Sequence, residues 1–525
     1  MSASAQTNQT SGIPHLAKEG TATQLIVGGK PFLILGGELR NSTSSSLDYM
    51  APILAKLSTE HLNTVLTPVC WDLIEPEEGK FDFSLVDGAI REARHNHLRL
   101  VLLWFGSWKN GVSTYPPLWV KTDLKRFPRA QSKDGRSLDI LSTFSDANLN
   151  ADARAFAALM RHVRKVDGNA HTVLMIQVEN EVGILGDSRD RAAAANEAFQ
   201  HPVPNELMEY LEQHKDALMP EFRARWEAGG FKTSGSWEDV FGASEWTDQM
   251  FMAWNYARYV GLVAAAGKAE YPLPMYVNTW LPDWQQRARL KPGTYPSGGA
   301  APEVMDVWKA GAPQIDILSP DTYSGFEERC ASYHRSDNPL FIPELARETR
   351  TCSAIFYGFG QYDAIGFSPF GMEGLPDFSD ELGRAYAVLA QIAPVLLENQ
   401  GQHVIGGAFL DKDHPTQQLR VGDYTLNLGI AHHYSFTTPE YPAGIFIQTG
   451  PDEYLAAGRG LTVTFTPETP GDAPIVKVAT VEEGVFVNGR WVADRRLNGD
   501  ETLSGDGLRF NGDYTIQHVK LYRYR

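Results

Sequence analysis

His171–Gly183, HTVLMIQVENEVG, is an apolar run that ends abruptly in the polar group Gln177, Glu179, Asn180 and Glu181. The segment Val173–Ile176 lacks the alternation of a half-exposed strand and is followed by a turn signal at Gly183. It therefore reads as a parallel strand buried on both faces. In an α/β barrel the carboxyl ends of the strands build the reactive face, so a carboxylate at such an end stands where chemistry is done. Taken alone, Glu179 and Glu181 would be read first as capping the next helix or solvating a strand end. A second stretch changes that balance: in Asn338–Arg347, NPLFIPELAR, the run Leu340–Ile342 leads into Pro343 and Glu344. The chain between Glu181 and Glu344 is long enough for three βα units.

Working outward, strand patterns recur at Pro31–Gly36, His61–Val69, Arg99–Trp104, Leu273–Val277, Ile315–Ser319 and Ala364–Ser368, with helical spacing at Leu47–Leu57, Leu85–His95, Asn148–Lys165 and Leu382–Leu397. Eight such units predict a (β/α)8 TIM barrel over 21–400. Ala22–Val27 and the start of PFLILGG flank Gly28-Gly29 as a hairpin, and residues 1–20 read as a polar, mobile leader. Asp187–Gly267 is an excursion after the fourth strand, an insertion placed to shape the pocket rim. From about residue 401 the pattern changes to short alternating runs, such as GIFIQT at Gly444–Thr449 and GLTVTFT at Gly460–Thr466, separated by Gly, Pro, Asn and Asp. The second domain, 401–525, is expected to be an all-β sandwich.

The formal net charge of −17 argues against nucleic acid or an anionic membrane as partner and is compatible with a neutral carbohydrate. Cys70, Cys330 and Cys352 are too scattered for a disulfide framework or a zinc site and read as packed thiols. No histidine pair has HExxH spacing, no run is long enough to span a membrane, and neither metal nor cofactor is expected. The first twenty residues lack a basic start followed by an apolar segment, so the cytoplasm is the default compartment, with periplasm or secretion the alternative if a leader has been removed. The chain is compatible with a homo-oligomer.

Two carboxylates opposed across a barrel mouth suit glycoside hydrolysis, where one donates a proton and the other attacks or activates water. Polar and aromatic residues just past strand ends are the candidate sugar contacts: Asn41 after strand one, Trp71 after strand two, Trp108 after strand three and Trp280 after strand five. Trp104 and Trp284 join the list of apolar platforms, although each Trp also suits core filling. Glu38, Arg40 and Asn41 compete with simple capping at the serine cluster Ser42–Ser46.

The Asn-Glu after strand four and the lone Glu after strand seven resemble the retaining glycosidases of clan A. QVENEVG, together with WDLIEPEEGKFDF at Trp71–Phe83, resembles glycoside hydrolase family 35, the β-galactosidases, with family 42 a close neighbour. The resemblance implies Glu181 as acid/base, Glu344 as nucleophile, Asn180 as partner of the sugar 2-hydroxyl and Tyr323 beside the nucleophile. It departs at two places. Where family 35 carries Ala-Glu-Trp, this chain has Gly106, Ser107 and Trp108, and where the family has a galactose-binding Tyr it has Asn41. The expected activity is that of an exo-β-galactosidase acting on oligosaccharides or plant-wall side chains, with a β-glucosidase or α-L-arabinosidase as the alternative within the clan. A non-catalytic carbohydrate-binding barrel would be favoured if either glutamate were missing. A cofactor or metal enzyme would want a phosphate-binding glycine loop, for which Gly358–Gly360 alone is weak.

Overall fold

The computed structural model describes residues 12–374, 376–432 and 436–525. Eight parallel strands close into a barrel: Ile34–Glu38, Thr64–Cys70, Arg99–Phe105, Val173–Val178, Met275–Thr279, Ile317–Thr322, Phe341–Leu345 and Gly366–Pro369. Each pairs with the next in chain order, and Gly366 of the eighth faces Ile34 of the first. Every residue in these strands except Arg99 is buried, which is why they read as unbroken apolar runs.

The expected mobile leader is corrected in its second half. His15–Glu19 is a strand paired antiparallel with Ala22–Val27, Leu16 opposite Leu25, while residues 1–11 lie outside the described ones. Leu25 is fully buried and packs with Ile34, Val101, Leu174 and Phe341, so this small sheet stops the amino-terminal end of the barrel. The run expected as one strand at Pro31–Gly36 is divided. Lys30–Phe32 completes the small sheet and Ile34–Glu38 enters the barrel. Asn63 bridges the break, accepting from Leu35 N at 3.0 Å and donating to Leu33 O at 2.8 Å.

The insertion 187–267 also needs a new boundary. Helices Ala193–Gln200, Asn205–Gln213, Pro220–Ala228 and Trp237–Phe241 belong to the excursion. Glu245–Glu270, capped by Ser244, instead lies along the barrel helix Asp146–Asp167, so close that a Cβ on Gly267 would overlap the Phe156 ring. It is the barrel's own helix between strands four and five, and the insertion proper ends near residue 244.

The C-terminal part forms two antiparallel sheets. Ile405–Phe409, Ala443–Gly450, Glu453–Arg459, Thr515–Tyr524, Ile475–Val487 and Arg490–Leu497 make one in that spatial order; Thr416–Val421, Tyr424–Ile430, Leu461–Pro467 and Gly507–Arg509 make the other. Phe446, Tyr454 and Val481 from the first meet Leu426, Val463 and Leu508 from the second. The opposite face of the larger sheet sends Ile445, Ile447 and Ala457 into the barrel's core. Helix Thr349–Tyr362 and strand Ile405–Phe409 approach through Gly360 and Gly407: a Cβ on Gly360 would strike the backbone of Gly407, and one on Gly407 the backbone of Tyr357. Arg459 is buried across this junction, paired with Glu381 and donating to Ser353 Oγ at 2.9 Å. The three cysteines are free and buried, as expected of packed thiols. Among the described residues no helix is long and apolar enough to cross a membrane.

Candidate active site

A cavity of about 510 Å³ opens at the carboxyl end of the barrel, lined among others by Asn41, Lys109, Asn110, Glu181, Asp321 and Glu344. Glu181 lies three residues past strand four on a backbone that holds two non-glycine residues in the left-handed region, Glu179 at φ 63° and Glu181 at φ 46°. Such a conformation costs on the order of 1 kcal/mol or more at each position and needs outside support. That support comes from three sides. Glu179 Oε2 accepts from Trp108 N at 2.8 Å, Glu181 N donates to Asn278 Oδ1 at 3.0 Å, and Glu181 O accepts from Gly111 N at 3.0 Å.

The Glu181 carboxyl is buried and accepts a hydrogen bond from Asn110 Nδ2. Burial, then the negative charge of Glu344, pushes its pKa up to about 7, against the opposing pull of Lys109. Glu344 sits within strand seven, its Cα paired with that of Asp321. Tyr323 donates its hydroxyl to Glu344 Oε1, while Glu344 Oε2 is buried with no partner among the described residues. Burial and the neighbouring Glu344 hold the Tyr323 phenol well above its ordinary pKa, so it remains a donor.

Two further carboxyls share the mouth. Asp321 Oδ2 accepts from Asn278 Nδ2 at 2.7 Å, and burial followed by Glu344 and Glu181 pushes its pKa well up. Glu38, at the end of strand one, is raised by burial first and Glu344 second. Oxygens of Glu181, Asp321 and Glu344 lie within 4.8 Å of one another, close enough to hold a cation chemically. The raised pKa values relieve the same crowding with protons.

The other expected contacts divide. Asn41 and Trp280 line the cavity, and Asn41 Oδ1 is buried without a partner among the described residues. Asn180 lies one residue from Glu181 with both side-chain polar atoms buried and likewise unpartnered. Trp71 and Trp108 are corrected: both are fully buried and line no part of this cavity. Trp71 packs on Trp104 and Trp119 and donates to Glu75; Trp108 packs edge-on to Tyr256 and Tyr259 and donates to Leu141 O at 3.1 Å. Large aromatics just past these strand ends turn under the loops because the apolar gain of full burial is available there. Gly106 and Ser107 point the same way. A Cβ on Gly106 would overlap Trp104 Nε1, and the Ser107 hydroxyl faces buried Asp152 and Tyr259.

Lys109, Asn110, Asp321 and Phe370 line the cavity without having been singled out as contacts. For the first two a signal existed. Lys109-Asn110-Gly111 is a turn sequence, and Asn110 and Gly111 take φ 55° and 65° so that the chain doubles back from Lys109 to Val112, bringing Asn110 to the Glu181 carboxyl and Lys109 to the cavity wall.

Residues 47–239 match a family described as Beta-galactosidase (Glyco_hydro_42), and residues 382–509 match one described as a domain of unknown function (DUF5597). The first window contains Asn110 and Glu181 but stops short of Glu344. A Beta-galactosidase of Xanthomonas manihotis is 32% identical over 173 residues, 31% of this chain and 26% of that protein. Beta-galactosidase-1-like protein 3 of Homo sapiens is 33% identical over 175 residues, 33% of this chain and 24% of that protein. The matched part thus spans about a quarter of the length of these curated relatives. A solved β-galactosidase from the psychrophilic Marinomonas ef1 superposes with a TM-score of 0.44 at 12% identity, covering 69% of this chain and 60% of that one.

Proposed function

Residues 47–239 carry a β-galactosidase domain of clan A, and on that premise we propose that the chain is a retaining, exo-acting β-galactosidase. It would release terminal β-D-galactosyl residues from oligosaccharides or plant-wall side chains. The observation that carries this reading is the close approach of Glu181 and Glu344, one oxygen of each lying within 4.8 Å of the other at their nearest, while Glu181 is held near a pKa of about 7. Inverting enzymes keep their carboxyls roughly 6.5–9.5 Å apart to admit water, whereas retaining pairs stand about 5–5.5 Å apart.

In the first step Glu344 attacks the anomeric carbon through its unpartnered Oε2, Tyr323 steadying Oε1. The bond to the leaving oxygen breaks as Glu181 protonates it. Once Glu344 is an ester its charge is gone, and with it one of the two leading causes of the raised Glu181 pKa. Glu181, now a carboxylate, takes a proton from water, which attacks the same carbon and frees Glu344. Asn180, with its unpartnered amide, faces the 2-hydroxyl in this reading.

A panel of nitrophenyl glycosides tests the substrate: β-galactoside is expected to lead in kcat/KM, and a clear preference for β-glucoside or α-arabinoside would overturn the galactose assignment. Glu181→Ala should spare nitrophenyl substrates and respond to azide, while Glu344→Gln should lose every glycoside. Equal loss in both variants on an activated substrate would refute the assigned roles.

A further inference from the structure

A second cavity of about 520 Å³ lies beside the catalytic one, and Leu281, Pro282 and Arg329 line both. Its walls carry three guanidiniums laid on indole rings. Arg225, from the insertion, is 4.3 Å from the Trp246 ring; Arg287 and Arg329 are 3.4 and 4.9 Å from that of Trp284. A guanidinium stacked by its face is held in plane and presents its N–H edge, the geometry that meets a carboxylate two-pronged. In a chain of net charge −17, none of the three has a carboxylate oxygen within 4.0 Å among the described residues. Arg225 Nε and Arg329 Nε are buried without a partner, and Arg329 is only 3% exposed. Of the carboxylates lining this cavity, Glu303 already accepts from Tyr295 and Gln249, which leaves Glu221. Backbone carbonyls take one N–H of two of the guanidiniums, Arg329 Nη2 donating to Pro282 O at 2.5 Å and Arg287 Nη1 to Trp284 O at 2.6 Å, but a carbonyl leaves the positive charge uncompensated, and three such charges around one cavity point to an anionic ligand.

We propose that this cavity is the leaving-group subsite and that it takes a carboxylate-bearing sugar, a uronic acid joined to the terminal galactose. The proposal rests on the exo-acting reading: with the terminal sugar in the catalytic cavity, the rest of the substrate is leaving group.

The test compares kcat/KM for β-galactosyl-(1→4)-glucuronate and lactose in the wild type and in the Arg225→Gln/Arg287→Gln double variant. The uronate should lead by about tenfold or more in the wild type, its lead should shrink as NaCl is raised to about 0.5 M, and the ratio should collapse toward one in the double variant. Equal or poorer use of the uronate by the wild type overturns the proposal. Turnover of nitrophenyl β-galactoside by the wild type separates the two readings, since that substrate has no uronate to bind. Should galactosides fail altogether, calorimetric titration with trigalacturonate decides: binding to the wild type but not to the folded double variant upholds the anionic subsite, and no binding to the wild type refutes it.

Discussion

The two ends of the barrel are built from the same strands and bury their residues to the same degree, with opposite consequences. At the amino-terminal end Ile34, Ile317 and Phe341 close over Leu25. Three or four residues later the same strands deliver Glu38, Asp321 and Glu344. Removing apolar surface from water stabilises the first end by roughly 25 cal/mol per Å². At the second end the same exclusion of water penalises charge and lifts the pKa of Glu38, Asp321 and Glu181. The difference teaches that the apolar stopper and the acidic mouth are complementary: the fold is held at one end so that the other can keep carboxyls where they do not favour folding.

That division is broken most sharply by Glu344→Gln. Activity should fall by roughly four orders of magnitude or more, while the melting temperature stays level or rises, because a charge that repels Glu181, Asp321 and Glu38 is gone. A melting point lowered by many degrees would show that the mouth stabilises the barrel after all. Leu25→Ala is the mirror experiment. Emptying the stopper should cost about 2–5 kcal/mol in denaturant unfolding and leave kcat/KM within about a factor of two of wild type, a readout that a drop in kcat/KM of tenfold or more would contradict.

A subtler effect follows from Glu181 itself. Its folded pKa of about 7 stands above the ordinary value of 4.5, so between those values the native state keeps a proton that the unfolded chain has lost. The stability this supplies is complete below about 4.5 and is lost as pH rises through about 7. Melting temperature should therefore decline from pH 5 to 8, by an amount corresponding to something on the order of 3 kcal/mol. Glu181→Gln should flatten the decline, and an unchanged slope in that variant would assign it to other groups.

How much of this was legible in the chain depended on whether a single residue pattern carried the information. The barrel was legible because each two-faced strand is an unbroken apolar run, and the pair Glu181 and Glu344 because each ends one. Trp71 and Trp108 were misread because position past a strand end does not say which way a side chain turns; that depends on Trp104, Trp119, Tyr256 and Tyr259, which reach them from elsewhere in the chain. The helix Glu245–Glu270 was absorbed into the insertion because it is apolar nearly all round and so lacks the one-sided stripe that marks a surface helix. Asn110 reaches Glu181, and Lys109 the cavity wall, through a turn whose local signal was visible but whose target was not.

The smallest expected effect sharpens the picture of the acidic mouth most. Asp321 is tied to both halves of the pair: its Cα is paired with that of Glu344, one of its oxygens lies within 4.8 Å of a Glu181 oxygen, and its carboxyl accepts from Asn278, which in turn holds the Glu181 backbone. Burial and two neighbouring carboxyls push its pKa well above the ordinary carboxylate value and so favour the neutral acid. Asparagine has nearly the same shape and no charge, so Asp321→Asn should move the alkaline limb of kcat/KM, the limb set by Glu181, by less than about half a pH unit. Were Asp321 ionised, its charge would be one of those raising the Glu181 pKa, and the same variant would pull that limb down by about one unit or more. Asp321→Ala leaves the Asn278 amide without its acceptor and loosens the support of Glu181, so it should lower kcat by about tenfold without displacing the limb. A pH–rate profile of the two variants side by side thus distinguishes a proton held in the mouth from a charge held there, and a limb shifted equally in both would assign Asp321 to the charge.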